Sequence, residues 1–305
     1  MMARYITPAV TPLLPDGRID EVSCRRLYDH LIEGGVDGIL ILGSIGEFFA
    51  FPMEERKKLI RIAVQAVAGR VELIVGTTSM IFQEIVELSN EAYEVGADSV
   101  MVIPPYYFHF NDAEVETYYD ALAQALKGKF YLYNFPDRMG YGISPEVVCR
   151  LAQKHPHLIG IKDTIAGVDH TREIIKQVKA VRPDFRVYSG FDDNFLHNVL
   201  CGGDGCIAGL SNLYPHLTAS WVRAVNAGDM VQAMQIQQRI DQLMDIYSVG
   251  KPFVPFIKQA LNMKGIIDHP CATFPMPAAT DAQKEQIAAI MCREEQHGCP
   301  CLPVD

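Results

Sequence analysis

SVMVIPPYYFHFNDAEVETYYDALAQALKGKFYLYNFP, residues 99–136, holds one full period of the pattern that decides the fold. Ser99–Ile103 is a short apolar run rich in β-branched residues and stopped by two prolines, the mark of a buried strand. Ala113–Leu126 then carries apolar residues at spacings of three and four, the mark of an amphipathic helix. Phe130–Asn134 is a second apolar run. Strand, helix and strand in this order predict a parallel pair joined by a crossover helix.

The same unit repeats in both directions. Further apolar runs lie at Tyr5–Val10, Gly38–Leu42, Val71–Gly76, Leu158–Lys162, Arg186–Gly190 and Gly205–Ala208. Helical patterns lie at Ser23–Ile32, Met53–Val67, Phe82–Val95, Pro145–Lys154, Thr171–Val178, Asn194–Leu200 and Pro215–Asn226. Asp20, Ser144-Pro145 and Asp193 supply helix start signals, and the Gly35–Asp37 and Gly96–Asp98 turns supply stops. Eight strand–helix repeats predict a closed (β/α)8 barrel over residues 1–226. An open doubly wound sheet is the alternative, but no GxGxxG follows an early strand. From residue 227 the strands cease. Residues 229–247, 253–262 and 281–294 read as helices, so 227–305 is expected to be a helical extension packed on the barrel.

The formal net charge is −10 with no basic cluster, which argues against nucleic acid or an anionic membrane as partner. No apolar run reaches membrane-spanning length. The opening MMARYITPAVTP lacks the layout of a secretory signal. Eight scattered cysteines in a chain of this size fit reduced thiols, so a cytoplasmic location is expected. Cys292, His297, Cys299 and Cys301 cluster near the end, at a spacing that matches none of the usual zinc patterns; a frayed end is the simpler reading, and no metal is expected.

In such a barrel the chemistry belongs at the C-terminal ends of the strands. Lys162 ends LIGIK. An ammonium is costly to bury, and burial pushes a lysine toward the neutral amine that attacks carbonyls. A snorkelling lysine, or one paired with Asp163, reads equally well from position alone. Tyr133 ends FYLYN, where a phenol could relay protons or simply pack in the core. Gly43-Ser44-Ile45-Gly46-Glu47 offers backbone N–H groups and a hydroxyl suited to a small carboxylate, though glycine-rich loops are common. Pro104-Pro105-Tyr106-Tyr107 aims two aromatics outward from a stiff loop, as a catalytic group or an interface patch.

With these residues in order, the chain resembles the dihydrodipicolinate synthase / N-acetylneuraminate lyase family of class I aldolases. The resemblance runs from about Tyr5 to Asn262. It rests on GSIGE (43–47), PPYY (104–107), YNFP (133–136), GIKDT (160–164), GFDD (190–193) and GGDG (202–205). It implies a barrel with a helical C-terminal extension, a homotetramer built as a dimer of dimers, and no cofactor. It further implies that Lys162 forms an imine with pyruvate and that Tyr133 is the general acid/base. Ser44 would link Tyr133 to Tyr107 of a neighbouring subunit. Gly43 and the backbone amides of Ser44 and Ile45 would hold the substrate carboxylate.

The motifs divide on which member the chain resembles. Ile45 stands where the synthases usually carry a second threonine. Arg138 matches the arginine those synthases direct at the carboxylate of aspartate semialdehyde. Gly190, Asp192 and Asp193 resemble sugar-acid aldolases, in which the acidic pair binds hydroxyls; Asp193 could also cap a helix. LGSIGEF and KPFVPFIKQAL most resemble 2-keto-3-deoxy sugar-acid aldolases. The expected function is therefore cleavage or formation of a C–C bond between pyruvate and an aldehyde, on a 2-keto-3-deoxy sugar acid. The synthase reaction is the alternative, followed by an imine-forming dehydratase and a non-catalytic 2-oxo acid sensor.

Overall fold

The computed structural model describes residues 2–295. Its eight strands are β1 Arg4–Pro8, β2 Gly38–Ile41, β3 Glu72–Gly76, β4 Ser99–Val102, β5 Phe130–Asn134, β6 Leu158–Asp163, β7 Arg186–Ser189 and β8 Gly205–Ile207. All neighbours pair in parallel, and β8 closes on β1. This is a (β/α)8 barrel. Each strand begins within two residues of an apolar run in the sequence, because a strand covered on both faces must be apolar throughout.

The outer ring consists of α1 Glu21–Glu33, α2 Met53–Val67, α3 Phe82–Val95, α4 Asp112–Ala125, the short α5 Pro136–Met139, α6 Pro145–Lys154, α7 Asp169–Val181, α8 Phe195–Leu200 and α9 Pro215–Ala227. Asp20 caps α1 by accepting from the Ser23 N–H, and Ser144 caps α6 by accepting from the Val147 N–H. Asp193 does not cap α8; it lies in a 3-10 turn, and Asn194 holds the capping position without a side-chain bond. After α9 come α10 Met230–Leu243, a 3-10 turn Met244–Ser248, α11 Val254–Met263 and α12 Asp281–Glu295. No helix among the described residues is long and apolar enough to cross a membrane.

A repeated device fixes the register. The aspartates that close Gly-Val-Asp, Gly-Ala-Asp and Gly-Gly-Asp each reach back to the preceding strand. Asp37 accepts from the Tyr5 N–H at 2.7 Å, Asp98 from Leu73 at 2.8 Å and Asp204 from Val187 at 2.8 Å. Strands β1, β3 and β7 are thereby pinned to the turns that start β2, β4 and β8. For β5 a backbone carbonyl does the same work, with Phe130 N–H donating to His157 at 3.0 Å.

The N-terminal mouth of the barrel is plugged by side chains from alternate strands, as the packing of such barrels requires. Glu72 of β3 pairs with Arg4 of β1 and with Arg186 of β7, and Arg186 also donates to the Tyr131 hydroxyl of β5 at 2.8 Å. The cavity that Lys162 lines opens at the opposite end.

Candidate active site

Side chains alternate along a strand, so of two neighbours one faces the barrel axis and one the helices. Lys162 faces in and Asp163 faces out. Asp163 accepts from Asn134 Nδ2 at 2.7 Å, Thr171 Oγ1 at 2.5 Å and His170 Nδ1 at 3.0 Å. These bonds tie β5, β6 and α7 together and leave no role for Asp163 as the ion-pair partner of Lys162.

Lys162 is only 5% exposed. Register pairs it with Tyr133 on β5, and its Nζ stands 4.7 Å from the centroid of the Tyr133 ring. Tyr133 is buried, and its hydroxyl lies 3.2 Å from Ser44 Oγ. Ser44 and Ile45 belong to the turn after β2. That turn begins with Leu42 in the left-handed region (φ 53°) and ends with Glu47 in the same region (φ 58°). Gly76 must be glycine for this to happen, since a Cβ there would collide with the Leu42 carbonyl.

Glu47 anchors the turn from behind. Its carboxylate forms an ion pair with Lys258 of α11, both side chains being fully buried, and accepts from the Thr273 N–H at 2.7 Å. Lys258 also donates to the Cys271 carbonyl at 2.8 Å. Burial pushes the Lys258 ammonium below its ordinary pKa, and the Glu47 charge opposes this. The C-terminal helices thus hold the loop that carries Ser44.

Lys162, Tyr133, Ser44 and Ile45 open onto one cavity of about 710 Å³, shared with Arg138, Gly190 and Asp192. Arg138 comes from α5 and stacks its guanidinium 5.5 Å from the centroid of Phe135. Gly190 lets the chain pass Thr164, whose hydroxyl a Cβ at 190 would strike. Asp192 is buried. It accepts from the Tyr5 hydroxyl, from the Leu210 N–H at 2.9 Å and from the Tyr247 hydroxyl at 2.9 Å. Burial raises its pKa, and the three donated bonds pull the other way. Burial, with the Asp192 charge, also pushes the phenols of Tyr5 and Tyr247 up, so both remain protonated donors.

Three of the site residues expected from sequence, Gly43, Tyr107 and Asp193, are outside the lining of this cavity in the single chain. Asp193 is exposed, outside the lining, and its backbone carbonyl accepts from Gln237. Tyr107 is 80% exposed and packs edge-on against Phe108. Gly43 sits at the start of the Ser44 turn, its carbonyl accepting from the Phe48 N–H. His297, Cys299 and Cys301 fall outside the described residues.

The cavity also contains residues to which the sequence reading gave no role. Thr164 lines it two positions after Lys162 on the same face; its buried hydroxyl has no partner among the described residues. Strand alternation alone could have found it. Tyr247, Lys251 and Phe253 enter from the C-terminal extension. Lys251 and Phe253 belong to the KPFVPFIKQAL stretch, but nothing in its pattern marks them as cavity residues, and Tyr247 lies in no motif.

Comparison with known proteins agrees with this geometry. The model of the dihydrodipicolinate synthetase family matches residues 1–293. A protein of Escherichia coli K12 described as a "probable 2-dehydro-3-deoxy-D-pentonate aldolase", YjhH, is 38% identical over 280 residues, covering 92% of each chain. A 4-hydroxy-tetrahydrodipicolinate synthase of Kosmotoga olearia is 33% identical over 290 residues, covering 95% of this chain and 98% of that one. Among solved structures, YagE superposes with a TM-score of 0.93 at 34% identity, covering 96% and 98% of the two chains. YagE is described as an E. coli K12 prophage protein of the dihydrodipicolinic acid synthase family, in complex with pyruvate. On the full-length match and these relatives, the chain belongs to the dihydrodipicolinate synthetase family.

Proposed function

We propose that this lyase forms an imine between Lys162 and the keto group of a 2-oxo acid, and that it cleaves a 2-keto-3-deoxy sugar acid to pyruvate and an aldehyde. The observation that carries the reading is the buried Lys162 amine 4.7 Å from the Tyr133 ring, with the Tyr133 hydroxyl 3.2 Å from Ser44 in the same cavity. The resemblance of the chain to the pentonate-type aldolase YjhH supports the substrate class.

The chemistry follows from these groups. Condensation of the Lys162 amine with the keto carbon releases water and leaves, once protonated, a cationic nitrogen. Tyr133 gives its proton to the hydroxyl that leaves the carbinolamine as water, and the phenolate so formed takes the proton of the C4 hydroxyl as the C3–C4 bond breaks. Its electron pair flows toward the cationic nitrogen, giving an enamine and a free aldehyde. Protonation of the enamine at C3 restores the imine, and water releases pyruvate and the amine. The Ser44–Ile45 turn would hold the carboxylate through backbone N–H groups, with Gly43 giving the turn its shape. Gly190 and Asp192 line the same cavity and would border the aldehyde-derived half. Asp193 would reach a ligand only through a change of the loop that carries it.

Removing the phenol oxygen tests the proton-transfer role. Tyr133→Phe should lower kcat by about 10²–10⁴-fold, the usual worth of a general acid/base. Steady-state cleavage of 2-keto-3-deoxygluconate measures this, and an unchanged rate would make Tyr133 a packing residue.

The synthase reaction, condensing pyruvate with aspartate semialdehyde, is the second reading, and Arg138 at the cavity wall favours it. A guanidinium there grips a carboxylate on the acceptor. Arg138→Ala should raise KM about tenfold or more for an acceptor that carries a carboxylate. Equal KM for charged and uncharged acceptors would remove Arg138 from recognition.

We also propose the homotetramer, with Tyr107 acting across a subunit contact. The loops after β2, β3 and β4 expose Phe49, Met80, Ile81, Tyr107 and Phe108 at one end of adjacent strands. A partner covering these apolar side chains would bring a second Tyr107 toward Ser44. The catalytic unit we propose is residues 1–226, with 227–305 as the extension that braces it. A cytoplasmic location is supported by the unbridged thiols of Cys24, Cys149, Cys201, Cys206 and Cys271.

A further inference from the structure

Tyr247 stands in the 3-10 turn between α10 and α11, outside the eight strand–helix repeats, yet it lines the cavity together with Lys162. Two neighbours fix its ring and its hydroxyl. Phe253 packs edge-on against the ring at 5.1 Å, and Asp192 accepts from the hydroxyl at 2.9 Å. Gly209, just after β8, makes the room. A Cβ at that position would stand 2.6 Å from the Tyr247 hydroxyl and 3.2 Å from Ile45.

The hydrogen bonds assign different work to the acid and the phenol. Asp192 is 2% exposed. Oδ1 takes the Tyr5 hydroxyl and the Leu210 N–H, and Oδ2 takes Tyr247. Oδ1 is thus filled by two donors, and the lone pair left on Oδ2 lies beside the Tyr247 hydroxyl that already holds that oxygen. A phenol that donates its one proton still has lone pairs free, and so becomes an acceptor for a further hydroxyl. The bond to a buried carboxylate strengthens that acceptor. Much of the remaining wall is apolar, including Ile45, Phe135, Phe191, Met244 and Phe253. A hydroxylated chain would leave its hydroxyls unmatched against these apolar side chains, and an acceptor set among them discriminates.

We propose that Tyr247, oriented by Asp192 and admitted by Gly209, is a specificity-determining residue. Its oxygen accepts a hydrogen bond from a hydroxyl on the aldehyde-derived half of the substrate, selecting polyhydroxylated aldehydes over unsubstituted ones. The proposal deepens the lyase reading above and rests on it.

The test runs condensation of pyruvate with two three-carbon aldehydes, glyceraldehyde and propanal, on the full-length chain. The readout is the ratio of their kcat/KM values, for the parent and for Tyr247→Phe. The parent should favour glyceraldehyde, and Tyr247→Phe should lower the ratio about tenfold, the usual worth of one hydrogen bond. A parent without preference, an unchanged ratio, or equal loss on both aldehydes would overturn the proposal; equal loss would mean that the phenol only supports the site. If Tyr247→Phe does not fold, Gly209→Ala decides: its methyl displaces the phenol oxygen, and the same fall in ratio is expected, whereas a preserved ratio rejects the assignment. Borohydride trapping of pyruvate on the parent separates the two levels. Without an adduct on Lys162 the lyase reading fails. With an adduct, turnover of both aldehydes and an unchanged ratio, only the Tyr247 assignment fails.

Discussion

Lys162→Ala is expected to abolish turnover, by on the order of 10⁴-fold or more, while the barrel remains folded. Without the amine there is no imine, and without the imine the electrons of the breaking C–C bond have no cationic nitrogen to receive them. Stability should change little. Among the described residues the Lys162 amine has no carboxylate partner, and Asp163 is satisfied by Asn134, Thr171 and His170. Truncation orphans no buried charge and enlarges a cavity that is already open. Steady-state kinetics and a urea unfolding curve check the two halves of this prediction. Surviving activity would reject the imine chemistry.

The largest effect on stability is expected at a residue distant in sequence from every motif strand. Lys258→Met should cost about 3–5 kcal/mol, the usual range when one partner of a buried ion pair is removed. Both Lys258 and Glu47 are fully buried, and Glu47 would keep only the Thr273 N–H among its present partners. Because Glu47 terminates the turn that carries Ser44, a lost anchor should also disturb the site. The double variant Lys258→Met, Glu47→Leu should recover part of the loss, since it removes the uncompensated charge. Urea midpoints at constant slope measure both variants. A single variant as stable as the parent would mean that Glu47 takes up a proton or finds solvent.

The barrel was legible because its strands are buried on both faces and so read as unbroken apolar runs. Helix positions followed from periodicity, and Asp20 and Ser144 act as the caps expected of them. What escaped depended on contacts remote in sequence. The four residues of α5 are too few to show a period. Glu47 and Lys258 each look like an ordinary charged residue until the fold brings them together. Of the adjacent acids, only Asp192 faces the cavity, and two neighbouring aspartates look alike until the loop is built. Tyr247 enters from a turn that belongs to no repeat. Thr164 was within reach of the sequence, because one residue past β6 it continues the alternation that turns Lys162 inward.

The most direct measurement is to incubate the protein with pyruvate, reduce with borohydride, and map the adduct by peptide mass spectrometry. A reduced adduct on the peptide containing Lys162 is predicted. A folded protein that yields no adduct, or carries it on another lysine, would contradict the proposed chemistry.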